Sequence, residues 1–182
     1  MKVLPLFPSS VFMDFVEEDT DELREYDGKF FVTEFGDGNK VSDDRRVLEN
    51  YPRIKKLLMK KFSKVAEFMS WKQEFIITTS WITECEPSQD CQLHNHRNSF
   101  LSAVYYPLST DGVIQFFSPF SDYFLSHVPI EDVHNMNCYN SSFYELPVRS
   151  GDLILFNSML YHRAKPSVNE RISIAYDIHI KS

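Results

Sequence analysis

Glycine is scarce in this chain, with five residues in 182, so its turns must be built from Asn, Asp, Ser and Pro. Cysteine is scarce too. Cys85, Cys91 and Cys138 are odd in number and follow no framework spacing, which argues against a disulfide scaffold and for free thiols in a reducing compartment. No stretch approaches the roughly 20 apolar residues of a helical membrane span, and the apolar run from Met1 to Phe7 is too short for a signal peptide. A cytoplasmic protein is expected, in which the sequon Asn140-Ser141-Ser142 goes unused. Positive charge is also in deficit: 19 Lys and Arg face 26 Asp and Glu, for a net charge of -7. That disfavours nucleic acid as a partner, because phosphate contacts need clustered cations. The basic residues cluster only from Lys55 to Lys64, where they alternate with apolar positions as on the solvated side of a helix.

Aromatic residues are plentiful. They make up 15% of the chain, with 16 Phe and 9 Tyr, and favour a β-rich core with large side chains. The length suits one domain, 1–182, divided into an N-terminal arm and covering helix (1–72) and a β core (73–182). Residues 1–16 read as an extended arm or strand, 17–28 as an acidic surface stretch, and 36–44 as turn chemistry. From Pro52 the apolar positions Ile54, Leu57, Leu58, Phe62, Val65, Phe68 and Met69 recur at helical steps, and Pro52 suits a first turn. After Trp71 the period falls to two. Strands are expected at Phe75–Thr83, Phe100–Tyr106, Val113–Phe117, Phe143–Pro147, Asp152–Phe156 and Arg171–Ile180. This pattern predicts a mainly β fold, a double-sheet jelly roll with one or two covering helices. The long aromatic stretch Ser118–Ser142 reads either as a lid or as a missed strand packing Phe120, Tyr123 and Phe124.

The chemistry centres on His94-Asn95-His96. On a strand, residues i and i+2 point to one face, so both imidazoles can reach one ion, and a distant third histidine, His162, would complete the facial set. Arg171 follows His162 by nine positions and opens a strand on which Arg171, Ser173, Ala175 and Asp177 share one face. Ile172, Ile174, Tyr176 and Ile178 share the other, which would pack under the helix and leave the polar face in the barrel mouth. An arginine there can grip a carboxylate through two parallel hydrogen bonds, and Ser173 can add a third. His127, His134 and His179 have no partner pattern and read as ordinary polar residues.

With these pieces in order, the chain resembles the Fe(II)- and 2-oxoglutarate-dependent oxygenases, in particular the prolyl hydroxylase-like branch. The resemblance runs from Phe75 to Ile180 and rests on His94-Asn95-His96, Ser102-Ala103-Val104-Tyr105-Tyr106, Gly151-Asp152-Leu153-Ile154-Leu155-Phe156, and His162 with Arg171-Ile172-Ser173. It implies a double-stranded β-helix of cupin-like type. It also implies Fe(II) on His94, His96 and His162, and 2-oxoglutarate held by Arg171, Ser173 and Tyr106. Molecular oxygen would be the oxidant, with succinate and carbon dioxide as co-products of hydroxylation. Phe100, Ser102 and Val104 would turn the same way as Tyr106. The substrate would be a protein side chain or a small molecule.

Two departures stand out: His96 occupies the place where the family usually has a carboxylate, and Ala103 the place where many relatives have Gly. Alternative readings are a non-catalytic metal-binding jelly-roll module and a three-histidine dioxygenase that does not use 2-oxoglutarate. A zinc set of Cys85, Cys91, His94 and His96 matches no common spacing. The residues leave the oligomeric state open.

Overall fold

The computed structural model describes residues 9–33, 38–119, 137 and 140–181. Among the described residues, ten strands and one long helix follow in chain order: β1 (Val11–Phe15), β2 (Phe30–Val32), β3 (Lys40–Ser42), α1 (Pro52–Phe68), β4 (Phe75–Cys85), β5 (Leu101–Leu108), β6 (Gly112–Phe117), β7 (Phe143–Val148), β8 (Asp152–Asn157), β9 (His162–Ala164) and β10 (Arg171–Ile180). Short 3-10 turns at Asp21–Leu23 and Val47–Glu49 bury Leu23, Val47 and Leu48. The strands form an antiparallel major sheet in the order β1-β8-β5-β10-β4-β3-β2 and a minor sheet in the order β7-β6-β9. This is the two-sheet jelly roll, the double-stranded β-helix, that the period-two segments predict.

Helix α1 forms where its apolar residues recur at steps of three and four, and Pro52 occupies its first turn, where a missing N–H costs nothing. It lays Ile54, Leu58, Phe62 and Val65 on the major sheet, against Ile77, Ile172, Ile174, Tyr176 and Ile178 among others. Each side chain so buried contributes roughly 1.5–3 kcal/mol. The expected stripe ends early: Phe68 is 76% exposed, with its ring edge-on to Phe12 at 6.0 Å, because the helix stops there. The stop uses Ser70 in the left-handed region (φ 58°), and the Trp71 N–H closes the turn on the Ala66 carbonyl at 2.8 Å. Glycine normally fills such a position, so this serine is where the chain's shortage of glycine shows.

A second cluster lies between the sheets, with Val104, Tyr106, Ile114, Phe116, Ile154, Phe156 and Ala175. Alternation along β5 and β10 therefore sorts side chains as expected. Leu101, Ala103 and Tyr105 join the helix side, while Val104 and Tyr106 face the minor sheet.

Several expectations need correction. Phe100 does not turn with Ser102 and Val104; it precedes β5 and stacks on Phe75 and Trp71 at 5.7 and 5.0 Å, on the helix side. Residues 40–42, expected within a turn, pair as β3 with β2 and β4, and Phe30–Val32 was not anticipated as a strand. The acidic stretch is not wholly on the surface, since Leu23 is fully buried and Thr20 bonds the Tyr105 hydroxyl at 2.6 Å. Most of Ser118–Ser142, with Phe120, Tyr123, Phe124, His127 and His134, lies outside the described residues, as does Cys138.

Candidate metal centre

His94 and His96 lie not in a named strand but in an extended segment that borders β9. His94 and His162 form an isolated antiparallel bridge and exchange both backbone hydrogen bonds, at 3.0 and 2.9 Å. The His96 N–H donates to the Ser158 carbonyl at 2.8 Å, which docks the other end of the motif. His162, expected near a turn, instead opens β9. Residues directly opposite in such a bridge carry side chains on the same face, and the i, i+2 step keeps His96 there too. The three rings gather with centroids 4.4 to 5.3 Å apart, and one ligand atom from each lies within 4.8 Å of the others.

Every Nδ1 in this group has an oxygen partner. His94 Nδ1 meets the Gln92 carbonyl at 2.7 Å, His162 Nδ1 the Leu160 carbonyl at 2.9 Å, and His96 Nδ1 the Asp177 carboxylate at 2.8 Å. Carbonyl and carboxylate oxygens only accept, so each Nδ1 carries the hydrogen and the lone pair of a neutral ring sits on Nε2. Burial, then the neighbouring His94, pushes the His162 pKa down to about 3, so this ring is neutral at ordinary pH and ready to bind a metal. Burial raises the Asp177 carboxyl, but hydrogen bonds from His96, Ser102 and Thr79 outweigh it and hold the group below its usual value. On the solvent side, Trp81, Asn95, Arg97 and Asn98 line an open depression of about 350 Å³ beside His94 and His96.

The second half of the site lies deeper between the sheets. Arg171 is 2% exposed, and its guanidinium donates to the Lys165 carbonyl at 2.9 Å and to Cys85 Sγ at 3.1 Å. Its stem crosses to the minor sheet at Gly112, where a Cβ would stand 3.3 Å from Arg171 Cδ and 3.0 Å from Val148. No carboxylate among the described residues pairs with Arg171. A buried cation without a counter-ion is costly, and an anionic ligand removes that cost. Tyr106, fully buried, lies within electrostatic reach of Arg171, and burial raises its hydroxyl pKa. Ser173 shares the Arg171 face of β10 and is half-buried.

A family model of the 2OG-Fe(II) oxygenases matches residues 79–177, more than half of the chain. The chain belongs to the 2OG-Fe(II) oxygenase family. It is a 2-oxoglutarate-dependent oxygenase, using Fe(II), 2-oxoglutarate and molecular oxygen. Solved structures share the fold of this oxygenase at low identity. HygX from Streptomyces hygroscopicus, with nickel and 2-oxoglutarate bound, is 12% identical at a TM-score of 0.64, covering 95% of this chain and 84% of that one. A Pseudomonas putida prolyl-4-hydroxylase is 16% identical at a TM-score of 0.64, covering 96% and 94%. An oxidoreductase of the same family from Burkholderia pseudomallei is 16% identical at 0.62, covering 94% and 86%. No curated protein matches the sequence.

The side chains of this oxygenase fit the family's cofactors. Three imidazole nitrogens on one face suit a divalent iron with open positions opposite them, and the buried Arg171, which no carboxylate among the described residues pairs, suits a dicarboxylate. The Cys85, Cys91, His94 and His96 zinc set does not form, because Cys85 Sγ is engaged by Asn39 and Arg171 while the clustering group is His94, His96 and His162. Sequence reasoning missed two neighbours of His96: Asp177, bonded to it, and Trp81, whose ring stacks on it at 5.4 Å and 24°. Alternation along β10 had already set Asp177 on the Arg171 face, which was the available signal.

Proposed function

We propose that the chain is a hydroxylase of prolyl hydroxylase-like type, in which His94, His96 and His162 hold Fe(II) while Arg171, Ser173 and Tyr106 bind the distal carboxylate of 2-oxoglutarate. The observation that carries this reading is the three-histidine cluster, with every Nδ1 bonded to an oxygen, in the same intersheet space as a buried arginine with no carboxylate partner among the described residues. Iron in such a site, when bound, supplies the activation of oxygen that the protein side chains cannot. The chain's own residues set the geometry. The histidines fix three positions on one face, and Arg171, a rigid fork of donors, orients the dicarboxylate. The apolar wall of Ile114, Phe116 and Phe156 limits water at the deep end.

The substrate is read as a protein side chain or a small molecule entering by the depression at Trp81 and Arg97. Both classes have precedents among the fold's relatives: one is a prolyl-4-hydroxylase, and HygX has been solved with hygromycin B bound. Residues 1–182 are read as one unit, because α1 and the major sheet share a single core, and the location is read as cytoplasmic from the odd cysteine number without framework spacing.

Anaerobic addition of Fe(II) and 2-oxoglutarate together is expected to give a visible charge-transfer band that neither gives alone. Substrate-dependent release of succinate is expected when oxygen is admitted. Absence of the band at saturating concentrations, or its persistence in His162→Ala, would overturn the assignment.

A further inference from the structure

The position where the family usually has a carboxylate ligand is His96, and a carboxylate stands one hydrogen bond behind it. Asp177 Oδ1 accepts from His96 Nδ1 at 2.8 Å and from the Ser102 hydroxyl at 2.7 Å, while Oδ2 accepts from the Thr79 hydroxyl at 2.9 Å. Ser102 on β5 and Thr79 on β4 are the register partners of Asp177 on either side of β10. The carboxylate is therefore held from both neighbouring strands and aimed at His96 across the sheet face. The pairing of β10 with β4 slips just after Asp177, between Asp177 and Ile178, an irregularity of the kind that re-aims a side chain near a site. Trp81 stacks against the His96 ring at 5.4 Å and 24°.

We propose that Asp177 is the positioning residue of the metal centre, fixing the tautomer and orientation of His96 and lending the site the negative charge that its three imidazoles lack. The inference rests on His96 being a ligand. A carboxylate behind a ligating imidazole makes the ring a better donor and offsets part of the metal's charge. The same geometry explains why position 96 carries histidine. The oxygen of a carboxylate introduced there would occupy roughly the place of Nδ1, now 2.8 Å from Asp177 Oδ1, and two anions at that separation repel strongly. Given Asp177, the imidazole is the ligand that fits.

The test is metal affinity of the whole chain without cosubstrate or turnover, read by anaerobic Co(II) titration through its absorption bands. Asp177→Asn is expected to weaken Co(II) binding by roughly 10- to 100-fold. His96→Asp is expected to bind worse than wild type, and the double variant His96→Asp/Asp177→Asn to bind better than His96→Asp alone, because the repulsion has been removed. A merely structural Asp177 would not produce that rescue. Thr79→Val, which loosens the carboxylate without removing it, should cause a smaller loss in the same direction and serves if Asp177→Asn fails to fold. If His96→Ala binds Co(II) as wild type does, His96 is no ligand and the site assignment fails. If His96→Ala loses the metal while Asp177→Asn keeps wild-type affinity, or the double variant shows no rescue, the positioning role alone is overturned.

Discussion

Replacing Arg171 by methionine keeps much of the stem's volume and removes the charge. The buried guanidinium makes two hydrogen bonds, to the Lys165 carbonyl and to Cys85 Sγ, out of its five N–H donors, and no carboxylate among the described residues neutralises it. A carboxylate gripped by two further N–H groups gains about 1.5–3 kcal/mol per charge-assisted bond, or about 3 kcal/mol at the low end for the pair. Loss of that pair corresponds to a weakening of at least about 100-fold.

The assay is thermal unfolding of the Mn(II)-loaded protein with 2-oxoglutarate. At a concentration 100 times Kd, binding stabilises the wild type by about 2.7 kcal/mol. For a domain of this size that raises Tm by roughly 5–10 °C. Arg171→Met should show almost no shift at the same concentration, and Arg171→Lys an intermediate one, because an ammonium supplies charge without the planar fork. Mn(II) affinity should stay within about threefold in both variants, since the proposed ligands His94, His96 and His162 come from other elements. The reasoning is refuted if Arg171→Met binds 2-oxoglutarate within threefold of wild type. Equal losses of metal and cosubstrate affinity would refute it too, because Arg171 would then be supporting the site as a whole.

The pH dependence of the metal-free protein has a definite sign. The folded pKa of His162 lies near 3, below its unfolded value near 6.5, so the unfolded state binds the extra proton first. Its contribution is complete above pH 6.5 and is lost as pH falls toward 3, by about 2 kcal/mol between pH 7 and pH 5. Urea midpoints should follow that slope, and His162→Phe should flatten it; an unchanged slope in the variant would count against a buried neutral ring. Chelation should strip the metal without unfolding the chain, because both hydrophobic clusters are built from residues other than the three histidines, and circular dichroism before and after chelation checks this. Phe62→Ala should cost about 3–5 kcal/mol through the cavity left beneath α1, yet leave Mn(II) affinity within about threefold, since Phe62 lies on the helix side of the major sheet.

The strands that sequence located were those long enough to show a period. β10 was bounded correctly at Arg171–Ile180, and β4, β5, β6, β7 and β8 fell within two residues at either end. β2, β3 and β9 span three residues each, too few for alternation to register, and they exist because longer neighbours offer them hydrogen bonds. The His94 segment is the extreme case, a single bridge to His162 that only the fold reveals. Phe100 was misplaced by carrying the alternation of β5 back past its first residue, Leu101. The histidine set was readable from spacing and resemblance. Asp177 as the partner of His96 was not, because the contact joins positions 81 apart and depends on which residues β10 meets across β4 and β5.

Arg171 and Asp177 lie on the same face of one strand, about 20 Å apart along it at 3.3 Å per residue. This interior holds the buried guanidinium of Arg171 toward one end of β10 and the Asp177 carboxylate, bonded to His96, toward the other. A divalent cation adds two positive charges there and a dicarboxylate two negative, so each offsets the other when both are bound. Burial around Arg171 and His162 weakens the screening of charge, so the two ligands should bind with strong mutual dependence. Calorimetric titration of 2-oxoglutarate into metal-free and Mn(II)-loaded protein measures it, with affinity expected to rise at least about tenfold on loading, a coupling of about 1.4 kcal/mol or more. By reciprocity 2-oxoglutarate must tighten Mn(II) by the same factor. Equal affinities with and without metal would mean that the two charges are solvated independently, and that Arg171 does not share an interior with the histidines.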